Sequence, residues 1–315
     1  MAITAEMVRD LREKTGAGMM DCKKALTESN GDVEAAIKFL REKGLAAAAK
    51  KAGRIAAEGL VTFAVDGGVA SLVEVNCETD FVAKNDDFIA FANDVALHVA
   101  KNKPARVSAE EAGTGQALLD QKFIKDTSKS VKDVTASKVA TIGENISVRR
   151  FKLFTGSEAY GTYLHGGGKV GVVVALAIGD KGKASSATVD ALAKDVAMHI
   201  ASEGPLAVNR DGIDQATIQN ERDIFIAQAK EQGKPDNIIE KMVEGKINKF
   251  LADSCLLDQA FIKDPDMKVG KLIEKTAKEL GTTITVQSFG RFKVGEGIEK
   301  KTDNLAEEVA KMTKG

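Results

Sequence analysis

The sequence predicts an α+β fold: three short N-terminal helices, a duplicated core of antiparallel sheet and helix, a helical-hairpin insertion and a C-terminal helix. Three observations carry this. Apolar residues recur at helical spacing in three short blocks over residues 3–43. A hairpin-then-helix pattern occurs twice, with DVALHVA starting at Asp94 and DVAMHIA at Asp195, 101 residues apart. Two amphipathic segments flank Gly233-Lys234-Pro235. The implied division is 1–54, 55–145, 146–212 with 252–292, 213–251, and 293–315.

The elements follow in order. Thr4 is a suitable N-cap for a helix carrying Met7, Val8 and Leu11. Gly16-Ala17-Gly18 turns the chain, and a second helix carries Cys22, Ala25 and Leu26. Asn30-Gly31-Asp32 breaks and recaps it. The third helix carries Val33, Ala36, Ile37 and Leu40, and Gly44 is placed to cap its end. AAAAKKAGR then reads as a helical or semi-flexible linker. Residues 58–68 and 69–77 are strands around a Gly-Gly turn, and 88–98 is a helix. Residues 159–168, 170–178 and 189–201 repeat that order. A short Gly-rich turn cannot make a parallel crossover, so both hairpins are antiparallel. Between the copies, 108–127 and 130–142 read as helical, followed by a strand at 146–154. The insertion comprises helices at 214–230 and 238–251, which form an αα-hairpin. The tail holds a helix at 269–280, a strand at 283–292 and a short helix at 305–312.

Composition narrows the function classes. The chain has 315 residues, 43% hydrophobic and 29% charged, as in an ordinary globular protein of roughly two domains. Aromatics are 5% with no Trp, and the net charge is −1, so neither base stacking nor phosphate tracking is favoured and no direct nucleic-acid partner is expected. Three dispersed cysteines, Cys22, Cys77 and Cys255, read as reduced thiols. No apolar run reaches membrane-span length and the start lacks an apolar leader, so the expectation is a cytoplasmic protein without a membrane partner.

Catalytic signatures are missing. HGGGKVG at 165–171 contains G-x-G-x-x-G, but the glycines lead into a Val-rich strand rather than a helix, so they read as a hairpin turn. No H-e-x-x-h or G-x-S-x-G pattern occurs. His98 and His199 occupy equivalent helix positions and read as structural, whereas His165 sits at a turn and suits an interface. The pairs Lys50-Lys51, Arg149-Arg150 and Lys300-Lys301 read as solvated faces. The expectation is a protein that is not an enzyme and takes no metal or cofactor.

One stretch stands apart, NCETDFVAKN at 76–85. Phe81 lies among polar residues between a strand and a helix. Local pattern favours a hydrophobic staple packed on that helix. The second copy reads AIGDKGKASS at the matching place, so the fold does not require the Asp-Phe pair. Of the adjacent Met19 and Met20, at least one must face outward, since neighbours cannot share one helix face.

At these residues the sequence closely resembles the bacterial elongation factor Ts family, exchange factors of the GTPase elongation factor Tu. The resemblance runs through LREKTGAGMMDCKKAL at 11–26, VEVNCETDFVAKN at 73–85, IGENISVRR at 142–150, HGGGKVGV at 165–172, GKPDNIIEKMVEGK at 233–246 and VGEGIEKK at 294–301. It implies a ubiquitin-associated-like N-terminal module, a two-part core, a coiled-coil or dimerisation insertion and a C-terminal module reaching the partner. Thr79, Asp80, Phe81 and Val82 fall on the motif that the family inserts near the GTPase's magnesium site. Arg12, Met19 and Met20 fall on contact positions of the N-terminal module. Ile142 and Gly143 fall on a loop near the phosphate-binding region, and His165 on the turn histidine of the core. The implied function is GDP release without covalent chemistry. Competing readings are a ubiquitin-like-binding adaptor, from the N-terminal module alone, and an RNA-binding accessory protein, from the Lys clusters.

Overall fold

Helix caps written into the sequence set the first elements. The Thr4 hydroxyl accepts from Met7 N–H at 3.2 Å, starting α1 (Ala5–Thr15), which Gly16 ends in the left-handed region. Next come α2 (Met19–Glu28) and α3 (Val33–Lys51), the latter capped by the Asp32 carboxylate. The three helices bury Val8, Leu11, Cys22, Ala25, Leu26 and Ala36 together. The computed structural model describes residues 3–299, so the helix expected over 305–312 and the Lys300-Lys301 pair lie outside the described residues.

The first copy of the core follows. β1 (Glu58–Asp66) and β2 (Val69–Cys77) are joined by Gly67-Gly68, both at positive φ as a two-residue hairpin requires. A single helical turn, α4 (Asp80–Ala83), and then α5 (Asp86–Asn102) come next. The helix expected over 108–127 is not formed. Its apolar residues belong to a 3₁₀ turn at Leu118–Asp120 and a tight hairpin, β3 (Lys122–Phe123) on β4 (Asp126–Ser130). Leu118 and Phe123 are buried from this irregular segment, which imitates helical spacing without helical backbone. α6 (Val131–Ile142) starts with a reciprocal Ser130–Asp133 capping box, and β5 (Ser147–Thr155) completes a sheet of order β1-β2-β5.

Gly44 is not a C-cap. α3 runs through it to Lys51, and a Cβ at Gly44 would lie 3.7 Å from the Ala136 carbonyl oxygen of α6. The glycine lies against α6 there, at a distance where a methyl group would make ordinary contact. The contact is clamped by Arg41, which donates to both Asp133 carboxylate oxygens at 3.0 and 2.8 Å. Burial pushes the Asp133 carboxyl up, but the Ser130 amide and hydroxyl and the Arg41 guanidinium outweigh it and hold the group below its ordinary value.

The second copy repeats the plan. β6 (Ala159–His165) and β7 (Val170–Ile178) pair antiparallel across Gly166–Gly168, all three at positive φ, as expected for a hairpin turn. α7 (Ala187–Glu203) follows. The arm is α8 (Gln215–Glu231) and α9 (Asp236–Ser254), whose seam of Ala229, Ile239, Val243 and Ile247 is buried between them. A 3₁₀ turn at Leu256–Asp258, β8 (Ala260–Phe261) on β9 (Asp264–Lys268), α10 (Val269–Leu280) and β10 (Ile284–Lys293) complete it, with sheet order β10-β7-β6. Copy for copy, β1, β2 and β5 correspond to β6, β7 and β10, so the two strand orders are the same.

The duplication is chemical as well. LLDQKFIKD begins at Leu118 and LLDQAFIKD at Leu256, and both hairpins carry the same register irregularity at their first strand. In the first copy, buried His98 accepts from Ile124 N–H at Nδ1 (3.2 Å), which leaves Nε2–H to donate to Gln121 Oε1 (2.8 Å). In the second, His199 accepts from Ile262 N–H (3.4 Å) and donates to Gln259 Oε1 (3.0 Å). Burial pushes both imidazoles below their ordinary pKa, more strongly than the glutamine bonds raise them. They are structural, as the sequence suggests, and fully buried.

The described residues form two compact units, one of residues up to Thr62, Val73–Phe151 and those from Lys293 onward, the other of Phe63–Leu72 and Lys152–Phe292. Arg149 and Arg150 are not a solvated face. In the first unit they donate to buried Glu74 at 3.1 and 2.6 Å, and the Gly295 amide donates to the same carboxylate at 2.8 Å. That ties the returning C-terminal segment to β2.

Candidate functional site

The site grows from the end of β2. Cys77 is buried, and its thiol donates to the Thr79 carbonyl at 3.1 Å. Thr79 then leaves the strand with extended backbone and caps α4, its hydroxyl accepting from Val82 N–H at 3.3 Å. Only Ala83 of α4 is buried, while Phe81 is 82% exposed, the highest value among the exposed large hydrophobic side chains described. Phe81 is therefore not a staple packed on its own helix. Asn85 caps α5 through Asp87 and Phe88, so the turn is closed off as a separate unit before the long helix starts. Asp80 pairs with Lys84 at 2.7 Å, an exposed i,i+4 contact of small energetic weight.

The turn is braced by the loop that follows α6. Gly143 ends that helix in the left-handed region, and Glu144 follows. One Glu144 oxygen accepts from Glu78 N–H (3.1 Å) and Thr79 N–H (3.0 Å), and the other from the Thr79 hydroxyl (2.6 Å). In return, the Glu78 carboxylate accepts from Asn145 N–H at 2.6 Å and Arg54 at 3.4 Å, and the Asn145 side chain donates to the Arg54 carbonyl at 2.8 Å. Lys51 donates to the Gly143 carbonyl at 2.6 Å. The structure thus brings Thr79–Val82 and Ile142-Gly143 together as two interlocked loops. Glu144, Glu78, Asn145 and Arg54 were not singled out in the sequence. The available signal was a carboxylate immediately after a helix-ending glycine.

The remaining residues lie elsewhere. Arg12 is exposed in the last turn of α1, and Met19 and Met20, 45% and 76% exposed, open α2. Both methionines face outward. His165 is exposed at the last position of β6, its ring stacked 6.3 Å from that of Tyr163. Among the described residues no group of three or more His, Cys, Asp or Glu side chains is placed to hold a metal ion, and no helix is long and apolar enough to cross a membrane.

A protein-family model described as Elongation factor TS matches residues 78–296. Elongation factor Ts of Clostridium perfringens (strain SM101 / Type A) is 51% identical over 313 residues, 98% of this chain and 99% of that one. Elongation factor Ts of Clostridium botulinum (strain 657 / Type Ba4) is 47% identical over 313 residues, 98% of each chain. These likenesses place the chain first among the elongation factors. More narrowly, the chain belongs to the elongation factor Ts family.

Proposed function

We propose that the chain is a guanine nucleotide exchange factor of translation elongation, acting in the cytoplasm on the GTPase elongation factor Tu. It binds the GDP-bound GTPase, inserts Thr79–Val82, dislodges Mg²⁺ from the GTPase and promotes GDP release so that GTP can bind. The observation that carries this is Phe81, 82% exposed on a turn fixed by hydrogen bonds from both of its flanks. Family membership supplies the partner.

The physical logic is differential binding. An exchange factor stabilises the nucleotide-free GTPase more than the bound one, and nucleotide weakens the factor's grip by the same free energy. A thousandfold acceleration of release needs roughly 4 kcal/mol, within reach of one or two buried hot-spot side chains. A phenyl ring suits the task because it carries large apolar area on a rigid frame and needs no hydrogen bond when buried. Displacing Mg²⁺ removes the counter-charge of the phosphates. The chain itself makes or breaks no covalent bond and holds neither metal nor nucleotide in this scheme.

The same reading assigns Arg12, Met19 and Met20 to a ubiquitin-associated-like module that contacts the GTPase, Ile142 and Gly143 to its phosphate-binding region, and His165 to a further contact. It keeps 1–54, 55–145, 146–212 with 252–292, 213–251 and 293–315 as functional divisions, with the arm as a self-association surface. The test is Phe81→Ala, expected to fold normally and to lose most stimulation of GDP release, about hundredfold, as the loss of a central hot spot implies. Stopped-flow release of a fluorescent GDP analogue from elongation factor Tu measures it; undiminished stimulation sinks the wedge.

A further inference from the structure

We infer that Glu144 is the positioning residue of the Phe81 turn, and that it locks this turn and the Ile142-Gly143 loop into one presented surface. The inference rests on the exchange reading for its functional half. Its structural half stands on geometry alone.

A four-residue helix cannot hold itself together in water, because the cost of nucleation is recovered only over many residues. Apolar burial does not hold this one either, since Phe81 points to solvent and only Ala83 is buried. Beyond the Thr79 cap, the Cys77 thiol and the Asp80–Lys84 pair, all local in sequence, a restraint reaches the turn from a separate segment through Glu144. Its carboxylate takes three donors from two successive residues, Glu78 and Thr79, and reaches them across 66 and 65 positions of sequence. These are charge-assisted bonds, the stronger class. Because Glu144 follows Gly143 directly, whatever fixes one loop fixes the other.

The second copy provides an internal control. After β7, the Asp180 amide donates to the Thr282 hydroxyl at 2.9 Å, and the Gly179 amide to the Thr283 carbonyl at 3.0 Å. Asp180 caps its own 3₁₀ turn through Gly182 N–H, as Thr79 caps α4. The place of Glu144 is taken by Thr282, which braces a turn whose next residues are Lys181, Gly182 and Lys183. At the equivalent position a hydroxyl takes one amide, with Lys183 donating to the Leu280 and Gly281 carbonyls beside it, where no apolar side chain is presented; a carboxylate with three bonds serves where one is.

The test uses the full chain with Glu144→Ala, Glu144→Asp and Glu144→Gln, and Phe81→Ala as reference. Gln keeps the length, offers one oxygen to the two amides and can donate its NH₂ to the Thr79 hydroxyl oxygen; Asp keeps the charge but is one methylene short. Amide hydrogen exchange over residues 76–85 is read on the chain alone, and release of a fluorescent GDP analogue from elongation factor Tu at saturating concentration of the chain. For Glu144→Ala, exchange at Glu78 and Thr79 is expected to rise at least about tenfold with α5 unchanged, and stimulated release to fall about tenfold, the effect of about 1.4 kcal/mol. Gln should restore both to within about threefold and Asp should not, an order that a charge effect would reverse. If Glu144→Ala does not fold, Glu144→Asp carries the same comparison. Unchanged hydrogen exchange overturns the inference. So does faster hydrogen exchange with undiminished release while Phe81→Ala is defective. If Phe81→Ala also leaves release undiminished, the exchange reading fails, and hydrogen exchange alone judges Glu144.

Discussion

The turn after β2 and the turn after β7 are built alike and carry different side chains. Both leave a buried strand, both are self-capped, by Thr79 and by Asp180, and both are braced from the loop that follows a helix ending in glycine. One presents Asp80, Phe81 and Val82, the other Lys181, Gly182 and Lys183. The scaffold therefore sets the turn and leaves its occupant free. An apolar residue that the fold does not bury in one copy, and does not need in the other, is what the proposed contact with the GTPase rests on.

The comparison can be stressed where the copies are most alike. His98→Leu and His199→Leu each strand a buried glutamine oxygen and a backbone N–H, and each should cost about 3 kcal/mol in denaturant unfolding. A difference above about 1.5 kcal/mol would mean that the two cores are not energetically equivalent. The same pair gives a pH signature. Their folded pKa values are depressed, so the stability they contribute is fully present above the unfolded value near 6.5 and is lost as pH falls from there through the folded pKa. The double variant should show a flatter stability profile below that point.

A smaller effect is expected where the copies differ. Asp133→Ala removes a capping box and the Arg41 clamp, for about 2 kcal/mol in thermal or denaturant unfolding. Its counterpart in α10 is Lys271, an exposed residue paired along its own helix with Glu274, and Lys271→Ala should change stability by under about 0.5 kcal/mol. Equal losses would show that Arg41–Asp133 does not hold α3 on α6. The smallest effect on exchange should come from the arm. Deleting residues 214–251 is expected to leave GDP release within about twofold, since the arm carries none of the residues proposed to touch the GTPase, while sedimentation reports altered self-association.

Much of this was legible in the sequence because it is local. The hairpins announce themselves through Gly67-Gly68 and Gly166–Gly168, and the helices through Thr4, Asp32 and period-3.6 apolar faces. The misread stretch, 108–127, failed for a physical reason: Leu118 and Phe123 are buried from a 3₁₀ turn and a two-residue strand, and their spacing imitates a helix face. The echo of LLDQKFIKD in LLDQAFIKD would have exposed the error, since both segments must adopt one conformation. Gly44 misled because a glycine after a periodic apolar face commonly caps a helix, and only the packing partner, Ala136, reveals a contact glycine. Glu144 was legible only as a carboxylate after a helix-ending glycine, because its bonds to Glu78 and Thr79 close over a long stretch of chain that no spacing rule bridges. Phe81 was half legible. Local pattern pointed inward, and the unequal repeat and the family resemblance pointed out.

The unbroken course of α3 has one last consequence. Its first turns share a core with α1 and α2, and its final residue, Lys51, holds the Gly143 carbonyl. Nineteen helical residues span about 28 Å at 1.5 Å each, and helices are stiff along their axis. The helix therefore acts as a splint. Asp21, next to Met20, pairs with Lys43 about two turns before Lys51 holds Gly143, so under the proposed function a partner that grips the methionines and the Gly143 loop meets them in one fixed arrangement.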